Sequence, residues 1–314
     1  MKPRFLLLFL ISIMALSSRL PAASDGLAAA YAVADATTGH ILEGRQLDKK
    51  LPIASLTKIA TAMVVLDWAE KGRRDLTSSI VIPPSATRVG GANPVQFQPG
   101  DQVTMRDLLY AALLQSDNVA ATALADHVGR SLTASRHNEG TPPVHLFVAQ
   151  MNALARKLGM RNTRFLNPHG LDHQEHPYST ARDLVLLSSY AMQRSAFRFY
   201  VSQSERRIQR FLPTGETTEY RLVNTNELLG TRSIDGVKTG RTSRAGDCLV
   251  ISAAREPESI AHADGSHTIT PRRLVVVVLN ARDRFGYASR LLTQGWRLYD
   301  DWAARGRPTE GKGE

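Results

Sequence analysis

The 314-residue chain has a single cysteine, Cys248, so an intrachain disulfide is impossible and stability has to come from a packed core. Cys248 has no CxxC partner, and its setting, Asp247-Cys-Leu-Val-Ile251, reads as a buried strand. Long apolar runs are also scarce. Beyond the first residues, no stretch approaches the roughly 20 apolar residues that a spanning helix needs. Val275–Leu279 is intensely apolar but only of strand length. No internal repeat occurs, and no long linker separates two halves. The basic residues are dispersed and carry no binding motif, which argues against nucleic acid as a partner.

What is present fits a globular protein: 43% hydrophobic and 22% charged residues, on a chain long enough for a proper core. Lys2 and Arg4 precede an apolar run, Phe5 to Leu16, and the small residues Ala22 and Ala23 follow. That pattern predicts a cleaved export signal over residues 1–23, in preference to an uncleaved anchor. Loss of Lys2, Arg4 and Arg19 with it lowers the net charge from +10 to +7. Such a surface favours polyanions such as wall polymers or lipid headgroups.

Local patterns predict the elements. Tyr31–Asp35 and Ile41–Glu43 flank Thr-Thr-Gly-His, a hairpin signal. A helix from near Ser55 to about Lys71 is apolar on more than one face and should be buried. Capping boxes at Thr104/Asp107 and Thr180/Asp183 announce two more helices. Helices are also expected through Leu124–Val128, Val144–Leu158 and residues 285–303, with residues 130–143 as a polar loop insertion. A hairpin joins Ile208–Leu212 to Tyr220–Val223, and apolar strands follow at Ser233–Lys238, Cys248–Ala253 and Leu274–Leu279. Strands at both ends with helices between them predict an α+β fold: an antiparallel sheet completed by both termini, with an inserted helical region. The expected layout is signal 1–23, one catalytic domain 24–303 and a disordered polar tail 304–314.

Three short motifs carry chemistry. In Ser55-Leu-Thr-Lys58, Ser and Lys three apart share one helix face. Serine needs a base to take its proton, and a neutral lysine amine can serve. Working near neutrality requires the lysine pKa to fall by roughly 3, costing the ammonium about 4 kcal/mol. Burial, a helix N-terminus and a second cation all push that way. The plain alternative is Ser55 as a helix N-cap. Ser116-Asp117-Asn118 lies at a helix–helix junction: Ser116 can relay a proton and Asn118 can hold a substrate amide, or the trio is merely a capping cluster. Asp235-Gly-Val-Lys238-Thr239-Gly240-Arg241-Thr242 gives a strand end with a cation, a hydroxyl and a glycine that admits a close backbone approach. The three together, in this order, are shared by class A β-lactamases and penicillin-binding proteins.

The resemblance extends further. Leu51–Lys58, Asn167-Pro-His-Gly-Leu-Asp172, Tyr178-Ser-Thr-Ala-Arg-Asp183 and Lys238–Cys248 resemble the low-molecular-mass penicillin-binding proteins, the D-alanyl-D-alanine carboxypeptidases, over about residues 28–300. The resemblance implies a penicillin-binding/serine β-lactamase-like fold: a five-stranded antiparallel sheet flanked by helices, with an all-helical subdomain. It implies Ser55 as acylated nucleophile, Lys58 as its base, and Ser116 as proton relay to the leaving D-alanine. Asn118 would grip the substrate, and Lys238 would supply positive potential. Thr239 would bind the terminal carboxylate beside Gly240, and the backbone N–H groups of Ser55 and Arg241 would form the oxyanion hole. Arg284 aligns with a carboxylate-binding arginine, although Arg282 lies near and a solvated surface role is the alternative. Relatives often carry an aromatic residue or His where Arg241 stands, and the 130–143 segment is longer than expected. Peptidoglycan stem peptides would be substrates and β-lactams covalent inhibitors, with no cofactor or metal.

Rival readings are weaker. A class A β-lactamase needs Glu-x-x-Leu-Asn, but Glu175 is followed by His-Pro-Tyr. His169, His173 and His176 invite a zinc site, yet Pro168, Gly170 and Pro177 indicate a loop rather than a ligand-bearing helix. A non-catalytic wall-binding module or penicillin sensor is opposed by the intact motifs. The sequence after Trp302 has no apolar face, which predicts no stable membrane anchor and likens the chain to short members, some of them DD-endopeptidases. Carboxypeptidase action is the primary expectation and crosslink cleavage the alternative, because the two share one acylation mechanism.

Overall fold

The computed structural model describes residues 27–133, 140–262 and 264–308. The expected signal, part of the 130–143 insertion and residues 309–314 lie outside these. Apolar alternation along the terminal strands builds the main sheet. β1 (Ala28–Asp35) turns through Gly39 into β2 (Ile41–Arg45), with the Asp35 carboxylate accepting both the N–H and the hydroxyl of Thr38 at 2.7 Å. β7 (Ile234–Thr242), β8 (Gly246–Ala261) and β9 (His267–Ala281) form the meander, and the antiparallel order is β2-β1-β9-β8-β7. The first and last strands are therefore neighbours, Tyr31 opposite Val278 and Val33 opposite Val276.

Both faces of this sheet are buried, which explains the unbroken Leu274–Leu279 run. Leu274, Val276 and Val278 face one side, where Leu291, Leu292, Trp296, Tyr299 and Trp302 of α8 (Arg284–Ala304) cover them. α8 comes so close that a Cβ on Gly295 would meet Val33 at 2.5 Å. Val275, Val277 and Leu279 face the other side and join the larger core, which continues into the helical region. There α1 (Thr57–Gly72) is central, with residues Thr57 through Val65 all buried, as its all-round apolar pattern predicts. Around it lie α2 (Pro84–Thr87), α3 (Met105–Leu114), α4 (Asn118–Leu132), α5 (Pro143–Lys157), α6 (Ala181–Gln193) and α7 (Ser195–Val201). Both threonines are N-caps, Thr104 Oγ1 accepting from Asp107 N at 3.0 Å and Thr180 Oγ1 from Asp183 N at 3.1 Å, but the Asp183 carboxylate accepts from Asn162 N and Thr163 Oγ1 rather than closing a capping box.

A second sheet, in the order β3-β4-β5-β6, adds two strands that the sequence pattern does not announce. β3 (Ser79–Val81) and β4 (Gln102–Thr104) are three residues each, too short to leave a period-two signature. They capture the expected hairpin, β5 (Glu205–Phe211) and β6 (Thr217–Val223), which stands apart from the main sheet. β8 and β9 also run beyond their apolar stretches as a polar two-stranded arm. Arg307, just past α8, pairs with Glu258 of that arm, and the Trp302 indole donates to Pro308 O at 2.8 Å. Cys248 is fully buried in β8. No helix of the described residues is long and apolar enough to cross a membrane.

Candidate active site

Ser55 sits in a 3-10 turn, Ala54–Leu56, that leads into α1. Neither the turn nor α1 has a side-chain N-cap, so the serine is not the capping residue it resembles. Ala54 takes φ +48°. Its carbonyl leaves no room for a side chain at Gly170, where a Cβ would lie 2.0 Å from Ala54 O and φ is +87°. The Asn167–Asp172 loop is thereby pressed against the serine turn, and the His169 carbonyl reaches the site.

Lys58, one turn beyond Ser55 and in the first turn of α1, is wholly buried. Its Nζ lies 2.9 Å from Ser55 Oγ, 2.7 Å from Asn118 Oδ1 and 2.8 Å from His169 O. Asn118 Oδ1 and the His169 carbonyl can only accept, so a neutral amine would give them its two protons. Its lone pair would then face Ser55 Oγ, the geometry a general base requires. Burial depresses the Lys58 pKa well below the ordinary lysine value, the Lys238 cation lowers it further, and Asp117 opposes both.

The Ser116-Asp117-Asn118 motif spans the gap between α3 and α4. Asn118 opens α4, and its Nδ2 donates to Gly90 O at 3.2 Å. Asp117 is the N-cap, Oδ1 accepting from Ala120 N at 2.8 Å, while Oδ2 has no partner among the described residues. Burial pushes its carboxyl up to about 6. Ser116 adopts φ +64°, half-buried, and its hydroxyl makes no hydrogen bond among the described residues. It is not joined by a hydrogen bond to Ser55 or Lys58.

β7 forms the opposite wall. A Cβ on Gly240 would sit 3.0 Å from Ile53 O and 3.1 Å from Ser55 N, so glycine lets the strand lie flat against the serine turn. Lys238 is buried, donates to Thr239 O at 3.1 Å, and is held down to about 7, first by burial and then by the Arg284 charge. Arg284, the first residue of α8, donates to Gly240 O at 3.2 Å and lies 3.5 Å from Asp247 Oδ1. It is one-fifth exposed (19%), so it belongs to this wall rather than to the free surface. The Arg241 side chain points outward, 77% exposed, with Asp247 at 3.4 Å.

Two participants escaped the sequence reading. The His169 carbonyl, not its ring, meets Lys58; the ring is buried, held down to about 3, and its Nδ1 accepts from Leu171 N at 3.2 Å. The Asn-Pro-His-Gly segment was the only available signal. Thr225, after β6, lies 2.7 Å from Thr239, Oγ1 to Oγ1, and no motif marks it. Among the described residues no three His, Cys, Asp or Glu side chains gather to hold a metal ion.

This arrangement has counterparts. The D-alanyl-D-alanine carboxypeptidase family matches residues 18–263. The D-alanyl-D-alanine carboxypeptidase DacC of Escherichia coli K12 is 33% identical over 306 residues, 94% of this chain and 68% of that protein. The D-alanyl-D-alanine endopeptidase of Pseudomonas aeruginosa is 36% identical over 236 residues, 74% of this chain and 69% of that protein. The Streptomyces K15 DD-transpeptidase structure superposes with a TM-score of 0.73 at 30% identity, covering 86% of this chain and 97% of that one. The ampicillin-bound penicillin-binding protein D2 of Listeria monocytogenes gives 0.66 at 29%, covering 86% and 97%. With its serine and buried lysine in contact beneath a matching fold, the chain belongs to the D-alanyl-D-alanine carboxypeptidase family and is a serine-type DD-peptidase.

Proposed function

We propose that the chain is an exported D-alanyl-D-alanine carboxypeptidase that trims peptidoglycan stem peptides through a Ser55 acyl-enzyme. The observation that carries this reading is the Lys58 amine, buried, hydrogen-bonded on two sides by acceptors, and 2.9 Å from Ser55 Oγ. Ser55 Oγ attacks the carbonyl of the penultimate D-alanine and passes its proton to Lys58. The carbonyl oxygen takes the negative charge and is held by the backbone N–H groups of Ser55 and Arg241. The C–N bond then breaks, and the departing amine receives a proton through Ser116, whose hydroxyl has no internal hydrogen bond among the described residues. Water hydrolyses the ester and returns the proton to Ser55. Asn118 aligns the peptide, while Lys238, Thr239 and Arg284 receive the terminal carboxylate along β7. No cofactor enters. A β-lactam follows the same path to the ester, but its opened ring keeps the amine tethered, so the penicilloyl enzyme is long-lived.

Residues 24–303 act as one catalytic domain outside the inner membrane, a reading supported by Lys2, Arg4 and the Phe5–Leu16 run. A second reading, cleavage of crosslinks as a DD-endopeptidase, is favoured by the 36% identity to the Pseudomonas endopeptidase. Mass spectrometry of digested muropeptides separates the two. Loss of one alanine from pentapeptide monomers is the expected result; conversion of dimers to monomers instead selects the endopeptidase. Unchanged muropeptides, or activity surviving Ser55→Ala, would overturn both.

A further inference from the structure

Thr239 faces a constraint that its motif does not express. A hydroxyl has one proton to give. A carboxylate has only acceptors, so Thr239 can hold one only if its own proton points into the groove. Its neighbour decides whether that proton is free.

Thr225 Oγ1 lies 2.7 Å from Thr239 Oγ1, and either oxygen can be the donor. Thr225 Oγ1 is also 3.1 Å from the Leu114 carbonyl, which already accepts the Thr225 N–H at 3.0 Å. Two arrangements follow. If the Thr225 proton goes to Leu114 O, Thr239 donates to Thr225 and offers the groove lone pairs alone. If the Thr225 proton goes to Thr239, the Thr239 proton is released toward the groove. The Leu114 carbonyl keeps its backbone partner in both cases, and the 2.7 Å contact is the shorter of the two open to the Thr225 hydroxyl. Thr225 is itself held firmly. Asn226 beside it donates Nδ2 to Gly236 O at 3.0 Å, and Asn224 donates Nδ2 to Val201 O and Gln203 O. Leu114 ends α3 two residues before Ser116, so the one threonine ties the proton-relay turn to the carboxylate strand.

We infer that Thr225 is a positioning residue for substrate selection: it donates to Thr239, and so turns the Thr239 hydroxyl into a donor for a C-terminal carboxylate. A neutral C-terminal amide, which can itself donate, has no need of this arrangement. The inference rests on Thr239 as a carboxylate receiver.

The test compares a D-alanyl-D-alanine peptide ending in a free carboxylate with the same peptide ending in an amide. Thr225→Val, which keeps the shape and removes the hydroxyl, is expected to raise KM for the carboxylate substrate about 10-fold, the lower end of the scale of one hydrogen bond to a charged group. The amide KM and both kcat values should stay within about twofold, no more than the weakest neutral hydrogen bond contributes. Thr225→Ser should behave as the native enzyme. Equal effects on both substrates, or an unchanged or lower carboxylate KM in Thr225→Val, would overturn the inference. Thr239→Val distinguishes the two levels: if it leaves carboxylate preference intact, Thr239 is not the receiver and the underlying reading fails. If Thr239→Val abolishes the preference while Thr225→Val does not, only the role of Thr225 fails. Thermal melting of each variant separates unfolding from altered recognition.

Discussion

The two faces of the five-stranded sheet are built from alternate residues of the same strands, yet they do opposite things. Toward α8, Leu274, Val276 and Val278 meet Leu291, Leu292 and Trp296 in a wholly apolar layer. Toward the helical region the apolar layer, with Val275 and Val277, adjoins the fully buried Lys58 and Lys238 and the carboxylate of Asp117. The first face supplies stability. The second spends some of it: the depressed lysine pKa values mean that each ammonium is less favourable in the fold than in the unfolded chain. Below the unfolded lysine pKa, this penalty grows as pH falls toward the folded values and is complete below them.

Substitutions on either face sharpen this contrast. Lys58→Met should lower penicillin acylation by about 10²- to 10⁴-fold, the reach of a general base, and leave the melting temperature unchanged or raised. Stopped-flow acylation and calorimetry read the two quantities, and a large loss of stability would break the contrast. On the other face, Leu291→Ala should cost about 2–5 kcal/mol in denaturant unfolding, with acylation per folded molecule unchanged. The pH dependence comes next. Because Lys238 lowers the Lys58 pKa and Asp117 raises it, the acid limb of acylation should move to higher pH in Lys238→Met and to lower pH in Asp117→Asn. Asparagine remains a good N-cap, so α4 should persist. Rate profiles shifting together in one direction would contradict the assignment. The smallest effect belongs to Arg241→Ala: its side chain points to solvent, so penicillin acylation should change by less than about twofold, the scale of a surface substitution.

Much of this was legible from residue order alone. The hairpin around Gly39, the capped helices and the three terminal strands follow from periodicity and spacing, whereas the three motifs take their meaning from their joint occurrence and from the family resemblance. What escaped depends on tertiary contact. β3 and β4 are stabilised by pairing with each other and with β5, not by any pattern of their own. The His169 carbonyl acts through its backbone, which any residue could supply, so only the glycine that brings it near Ala54 hints at its place. Thr225 is an ordinary polar residue after a strand until the fold sets it against Thr239. Conversely, the capping reading of Ser55 was plausible until the turn geometry removed it.

The central claim is that Ser55 becomes acylated, and it is tested most directly by intact-protein mass spectrometry after incubation with benzylpenicillin. The account predicts one stable adduct of the antibiotic's mass on the wild-type chain, mapped to the peptide containing Ser55 and missing in Ser55→Ala. An adduct that persists in that variant, or a folded wild-type protein that acquires none, would contradict it.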